Sequence, residues 1–422
     1  MTMVIKIKML YRALQRCMSS SAKAPFEITD MAAFMFTLQK SNSGSLNQVL
    51  QSILDSKLNL THIESRPASL IDADKGFTFI VDVETPTSSS LENVCQKIKK
   101  VCGDVTLLGS LEVPWFPRRF NDIDGMQQLV RPLHSDHPGV NDPVYWARRQ
   151  ELGNIIRSCT LSSKIPIIQY TNEESQTWQT IYHALSPLYK KIACEEFLLN
   201  FKEMENKGLI TENEVPQIAN VNKYLMGKTG FQLKPISGME KDRDFLNCLA
   251  FRVFPTTIHM RHHSQPYFSI DPDVAHEVIG HAPILADPEF AEFVQEIGLA
   301  SLGATEEDIE KLMNLYFYSI EIGLIMNPAG DRRVYGARIL SSVDEIHHAL
   351  SIHPELRHFD PFQACNVKYH RKDLQSMYWF CEDFREAKIL MERYASTLQR
   401  PFNATYDRAQ KSIKVSHKVK SW

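Results

Sequence analysis

Asp273-Val274-Ala275-His276-Glu277-Val278-Ile279-Gly280-His281 lies within a long helix-period region, and Glu321 follows forty residues after His281, inside Tyr316-Phe317-Tyr318-Ser319-Ile320-Glu321-Ile322-Gly323. Histidines four apart would share one helical face, as they do in zinc proteases. These are five apart. Five residues of regular helix turn a side chain by about 140°, so the imidazoles converge only where the helix ends or bulges. Gly280 supplies backbone freedom for such a break. Two histidines and a distant carboxylate match the facial triad of non-haem iron(II), which leaves coordination positions open. Glu321 is the candidate third ligand, because a lone carboxylate in an apolar stretch is costly unless paired or metal-bound. On spacing alone, two core histidines beside an ion-paired Glu321 explain the pattern equally well.

Outward from this stretch the texture stays helical. Segments 143–157, 177–205, 242–254, 273–285, 288–302, 305–326 and 377–397 repeat apolar residues at helical spacing, with only short strand signals between them. Prolines 114, 117, 132, 138 and 143 mark an extended approach to this region. Toward the N-terminus the period changes. Ala33–Leu38, Leu58–Ile63, Phe77–Val83 and Val105–Leu111 read as strands, with Phe77, Phe79, Val81 and Val83 on one face of the third. Ser45–Leu54 reads as a helix through Leu46, Val49, Leu50 and Ile53, and Leu91–Val101 through Leu91, Val94, Ile98 and Val101. The order is βαββαβ, a ferredoxin-like split unit. Residues 400–415 read as a β-hairpin. The expected fold class is α+β: a leader over 1–30, a ferredoxin-like domain over 31–112, a mostly α-helical domain over 113–399 and a short arm over 400–422.

Composition sets the outer bounds. At about 150 residues per domain, 422 residues suggest two or three domains, and 43% apolar with 23% charged residues excludes wholesale disorder. Forty-seven Lys+Arg against fifty Asp+Glu give a formal charge of −3, so there is no basic face to argue for nucleic acid. No apolar run approaches the roughly 18 residues of a membrane span. Eight cysteines are scattered without a CxxC pair, which points to a reducing compartment rather than a disulfide framework or zinc ribbon. Residues 1–26 carry Lys6, Lys8, Arg12, Arg16 and Lys23 and no acid, followed by Glu27; with the Ser19–Ser21 run this is the composition of a mitochondrial presequence.

Wider wording adds to this reading. LAFRVF (249–254), Arg261-His262 before Ser264 and Pro266, PDVAHEVIGHAP (272–283), QEIGLASLGA (295–304), YFYSIEIGL (316–324), YGARILSS (335–342) and RPFNATYD (400–407) occur in order. With VPWFPRRFNDID (113–124) and DHPGVNDPVYWARRQ (136–150), they make the chain resemble the pterin-dependent aromatic amino acid hydroxylases from about residue 33 onward. Gly44-Ser45-Leu46 and NLTHIESRP (59–67) resemble the regulatory ACT domain of the phenylalanine enzymes.

The resemblance implies that His276, His281 and Glu321 bind Fe(2+), with tetrahydrobiopterin and O2 as co-substrates. It implies that Arg261 holds the substrate carboxylate by a bidentate bond, braced by Asp273, with Ser269 and Phe317 in the substrate site. Asp273 reads equally as a helix N-cap. Gly238, Met239 and Asp242 correspond to the pterin turn, Phe245 to its stacking aromatic, Glu277 to the carboxylate beside pterin and iron, and Tyr316 to the same pocket. Ser341 falls near the metal, or merely ends a strand. Gly44, Leu46, Glu64 and Arg66 correspond to an amino-acid site between paired ACT domains, or simply pack a helix on a sheet.

There are departures. Pro255 replaces a histidine beside the pterin, Met313 a small residue, Glu240 an apolar residue in the pterin turn, Arg338 a glycine, Arg371 a small ring-pocket residue, and Leu129 a lid tyrosine. Phe317 stands where tryptophan hydroxylases carry phenylalanine and the other two classes carry tryptophan, whereas the ACT wording favours phenylalanine. The expected reaction is hydroxylation of a free aromatic L-amino acid, phenylalanine to tyrosine; the alternatives are tryptophan 5-monooxygenase and a non-catalytic amino-acid sensor. The expected partners are the aromatic amino acid and a second copy of the chain in a homodimer, with no nucleic acid and no membrane. The expected compartment is the cytoplasm, as in the family, with mitochondria as the alternative.

Overall fold

A computed structural model describes residues 30–38, 44–67, 76–85, 88–102, 105–111, 116–125, 128–129, 133, 135–327, 329–370, 373–398, 400 and 402–417. The basic leader before Asp30, Arg371 and the last five residues lie outside the described set. The chain separates into two compact units, one of residues 1–65 with 78–112 and one of 66–77 with 113–422.

The first unit holds β1 (Asp30–Leu38), α1 (Ser45–Asp55), β2 (Asn59–Pro67), β3 (Phe77–Thr85), α2 (Ser88–Cys102) and β4 (Val105–Leu111). Its sheet has the order β2-β3-β1-β4, the split arrangement read from the βαββαβ pattern. β1 and β4 run antiparallel, with a register shift between Ala33 and Phe34. Phe34, Phe36 and Leu38 alternate inward and meet Val49, Leu50 and Ile53 of α1 and Val94 and Ile98 of α2 in one core. Phe77 departs from the expected inward set: at the start of β3 it is 44% exposed, while Phe79, Val81 and Val83 are buried.

The second unit is mixed helix and sheet, and mostly helical. Its central helix, Pro288–Ser301, buries Phe290, Phe293, Val294 and Ile297. It lies so close to helix Asp242–Ala250 that a Cβ on Gly298 would come within 2.2 Å of the Ala250 nitrogen. A four-stranded sheet orders Arg332–Val334, Leu324–Met326, Met377–Cys381 and Glu355–His358. The hairpin Phe402–Asp407 with Ser412–His417 docks on the segment that opens this unit. Phe402 stacks on Phe116 at 5.3 Å, and Ile413 N donates to Arg118 O at 2.8 Å.

Several expected helices are shorter than their apolar patterns. Segment 177–205 divides into Asn172–Ile192 and Glu195–Asn206, because Cys194 N turns to donate to Val334 O at 3.0 Å. Segment 242–254 stops at Ala250, where Arg252 at φ 56 sends the chain into strand Val253–Thr257. Met377–Cys381 is a strand buried on both faces, a pattern that period alone does not separate from helix. Conversely, YGARILSS, expected as a strand, contains the one-turn helix Ala337–Leu340. Gly336 permits it, since a Cβ there would lie 2.6 Å from Glu321 O and Gly323 N. Among the described residues no helix is long and apolar enough to cross a membrane.

Candidate active site

The break expected between the histidines is a π-helical turn. Residues His276–His281 form it entirely, all six buried, and Ala282 N bonds Glu277 O five residues back. An i→i+5 ladder brings residues five apart onto the same side, which regular α-helix does not. Gly280 is needed for packing as well as for freedom, because a Cβ there would lie 2.6 Å from Ala337 O. Glu321 comes from a second π turn, Phe317–Glu321, at the end of helix Glu306–Tyr316.

The three side chains meet. His276 Nε2 and His281 Nε2 are 3.0 Å apart, and Glu321 lies 3.5 Å from the first and 3.2 Å from the second. Among the described residues these three alone form a cluster able to hold a metal ion. Ser341 Oγ donates to Ala337 O at 2.8 Å, so toward His276 Nδ1, at 2.9 Å, it acts as acceptor. That assigns the proton to Nδ1 and leaves a lone pair on Nε2 facing His281 and Glu321. Burial pushes His276 down to about 4, which keeps it neutral. Burial alone would raise the Glu321 carboxyl, but the two imidazoles and the Tyr316 hydroxyl, donating at 3.0 Å, hold it at about 2. Two imidazole nitrogens and one carboxylate therefore converge.

A cavity of about 400 Å³ opens beside them. Gly238, Asp242, Phe245, Pro255, Glu277, Met313 and Tyr316 are among its lining residues, as are Arg261, Ser269, Phe268, Phe317, Arg338 and Tyr369. Met239 lies on the short strand Met239–Glu240. Phe245 meets Tyr316 edge-on at 4.9 Å. Burial raises Glu277 to about 7, against donation from Thr257 N and Oγ1 at 2.9 Å each.

Arg261 and Asp273 form a buried fork, Nη2 to Oδ1 at 2.8 Å and Nε to Oδ2 at 3.0 Å. Asp273 also accepts from His276 N at 3.1 Å, so it serves both as brace and as cap. Arg261 Nη1 donates to Pro266 O and Ser341 O at 3.2 and 3.1 Å. Four of the five guanidinium N–H groups are thus engaged, and one remains for a ligand. The expected bidentate grip on a substrate carboxylate does not fit this arrangement. Ser269 Oγ is likewise turned to Asp271 O, at 2.5 Å.

Sequence reasoning missed several lining residues. His259, Asp271, Phe268 and Tyr369 carry no motif of their own, and Arg149, 3.5 Å from Asp271, lies in the stretch 136–150 without having been singled out. Tyr369 stacks on Phe317 at 4.0 Å, a pairing across fifty-two residues that no local pattern signals. Toward the N-terminus, Gly44 precedes α1 at φ 107, Leu46 is half-buried against the core of the first unit, and Glu64 and Arg66 fall on β2.

The family model for biopterin-dependent aromatic amino acid hydroxylases matches residues 114–421. The chain belongs to that family. A tyrosine 3-monooxygenase of Canis lupus familiaris is 40% identical over 89% of this chain and 77% of its own length. A phenylalanine-4-hydroxylase of Dictyostelium discoideum is 37% identical over 91% of this chain and 89% of its own. A solved phenylalanine hydroxylase from Chromobacterium violaceum, with bound iron(III) and 7,8-dihydrobiopterin, aligns with TM-score 0.51 and 29% identity, covering 59% of this chain and 93% of that one. The chain is a pterin-dependent aromatic amino acid monooxygenase whose cofactors are iron and tetrahydrobiopterin. The donor set fits the metal: the tautomer fixed by Ser341 aims a nitrogen lone pair at the point shared with His281 and the ionised Glu321.

Proposed function

We propose that this hydroxylase converts free L-phenylalanine to tyrosine, with His276, His281 and Glu321 as the iron ligands. The observation that carries the reading is the convergence of these three donors on a cavity with aromatic walls. Bound there, ferrous iron and tetrahydrobiopterin supply the activation of O2 that puts one oxygen atom on the ring. The chain's own residues orient and enclose. Ser341 fixes the His276 tautomer, and Tyr316 holds Glu321 in place. Gly238, Met239, Asp242, Phe245 and Tyr316 form the pterin side, with Glu277 able to hold a proton beside it. Arg261, positioned by Asp273, offers its one remaining N–H to the substrate carboxylate, and Ser269 and Phe317 complete the amino-acid side.

Identity does not decide the ring, since a tyrosine and a phenylalanine enzyme match at 40% and 37%. Phe317, where the resemblance places phenylalanine in tryptophan hydroxylases and tryptophan in the other two classes, supports tryptophan as the second reading. The test is anaerobically iron-loaded protein with tetrahydropterin and each aromatic amino acid, products identified by mass. Tyrosine from phenylalanine is expected. Hydroxytryptophan alone, or dihydroxyphenylalanine alone, overturns the substrate; pterin oxidation never coupled to any of the three leaves a non-catalytic sensor. Arg261→Ala should keep iron while apparent amino-acid affinity falls by about 2–4 kcal/mol.

The same proposal takes the first unit as an ACT domain, with Gly44, Leu46, Glu64 and Arg66 as an effector site, tested by phenylalanine binding to the full-length protein and its Gly44→Ala and Glu64→Gln variants. It takes the arm over 400–422 as the contact of a homodimer, tested by light scattering with and without that arm. It assigns the enzyme to the cytoplasm, tested by whether residues 1–24 carry a reporter to mitochondria.

A further inference from the structure

Among the described lining residues, Arg338 carries its charge toward two aromatic rings. Its guanidinium carbon stands 5.6 Å from the Phe268 ring centre and 5.7 Å from that of Phe317. It is held there from behind. Nε lies 3.5 Å from Glu345 Oε2, a carboxylate with no exposure, and Nη2 donates to Asp373 O at 3.1 Å. Glu345 is itself fixed by the Tyr378 hydroxyl, which donates to Oε1 at 2.7 Å. The carrier is the short helix Ala337–Leu340, whose following residue, Ser341, holds His276. A long side chain tied at two points cannot fold away when a substrate enters. Phe317 is also stacked on Tyr369, with ring centres 4.0 Å apart.

We propose that Arg338 sets the ring size this enzyme accepts, by filling the space next to Phe317 that an indole would need. The inference rests on the phenylalanine reading and deepens it. Phe317 is a small wall for an enzyme of small rings, and Arg338 compensates: the two share one contact, and the room left by one is taken by the other. The charge is neutralised by Glu345, so the effect is one of volume. Removing an arginine side chain from the wall of a cavity of about 400 Å³ changes its capacity substantially. Differences of one methylene in an apolar pocket already discriminate by about 10- to 200-fold.

The experiment compares kcat/KM for phenylalanine and tryptophan in iron-loaded full-length enzyme with tetrahydropterin. Arg338→Gly should raise the tryptophan-to-phenylalanine ratio by about tenfold or more, chiefly through the tryptophan KM. Because Glu345 would lose its cation, Arg338→Gly with Glu345→Gln is measured alongside and should show the same shift. Arg338→Met keeps length without charge and should leave the ratio within about threefold of wild type, whatever the absolute rate. An unchanged ratio in both glycine variants overturns the proposal, and so does Arg338→Met shifting the ratio as far as glycine does, since charge would then be the cause. Wild-type enzyme that hydroxylates no phenylalanine overturns the underlying substrate reading instead, and is seen before any variant is made.

Discussion

Helix α1 and the turn at His276–His281 are both short helical segments, and they obey different rules. α1 buries one stripe, Val49, Leu50 and Ile53, and exposes residues such as Leu54, as a helix lying on a sheet must. The π turn buries all six residues, two imidazoles and a carboxylate among them. In α1 the sequence period is the packing period. In the π turn the period is bent until residues five apart stand 3.0 Å apart at their ring nitrogens. The first arrangement is stabilised by apolar contact. The second spends burial on polar groups, and most are partnered: Ser341 for His276, Thr257 for Glu277, Glu321 for both imidazoles; His281 Nδ1 has no hydrogen-bond partner among the described residues.

The largest expected effects set the two regions against each other. His276→Ala, His281→Ala and Glu321→Ala should each remove bound iron and lower hydroxylation by more than about 1000-fold. Far-ultraviolet circular dichroism should hardly change, because a core containing Trp178, Tyr189, Phe290 and Trp379 holds the unit together. Iron uptake and product formation are the measurements, and near-normal turnover in any one variant would break the assignment. Phe34→Ala should do the reverse. Phe34 is fully buried at the centre of β1, so its loss costs about 3–5 kcal/mol and should show as faster amide exchange across β1–β4. Hydroxylation per bound iron should persist.

How much was legible follows the same division. The six elements of the first unit were readable because each has one buried face, and the alternation of Phe34, Phe36 and Leu38 translates directly into geometry. The convergence of three donor side chains was readable for the opposite reason. His276, His281 and Glu321 violate the helical period, and a violation in an apolar context signals chemistry. What stayed hidden was the wall opposite. Tyr369, Phe268 and His259 reach the cavity from loops whose tertiary course no local spacing encodes. The Asp273 brace of Arg261 was expected, but the sequence does not show that the fork and the Pro266 and Ser341 carbonyls together engage four of the five N–H groups. Met377–Cys381 and Ala337–Leu340 were misread for a third reason: fully buried segments lose the polar face that betrays their period.

A smaller effect should sharpen the contrast. In Gly280→Ala the new methyl meets Ala337 backbone atoms at 2.6–3.0 Å, which cannot move as a side-chain tip would. The expected cost is about 1–3 kcal/mol. It should be accompanied by weaker iron binding, because displacing Ala337 also displaces Ser341 and with it the bond that fixes His276. A variant with lowered stability but unaltered metal affinity would show that the π turn and the helix 337–340 are not coupled.

The smallest effect belongs at the start of helix Asn172–Ile192, an ordinary periodic helix that nonetheless reaches the site. Its N-terminus is a capping box: Thr171 Oγ1 accepts from Glu174 N at 3.2 Å, and Glu174 accepts from Thr171 N at 2.7 Å. Its last turns carry Tyr189, whose hydroxyl donates to Leu340 O at 2.8 Å, one residue before Ser341. Thr171→Ala should cost about 1 kcal/mol by denaturant titration. Glu174→Ala should cost more, since Glu174 also takes Arg148 Nε and Nη2 at 3.0 Å each. Neither should alter kcat, because loss of a cap frays the first turn while Tyr189 is anchored near the far end by Phe197 and Phe201, each 5.1 Å away. If Thr171→Ala lowered kcat, strain would be passing along the whole helix to Leu340, and the periodic region and the bent one would have to be treated as a single mechanical element.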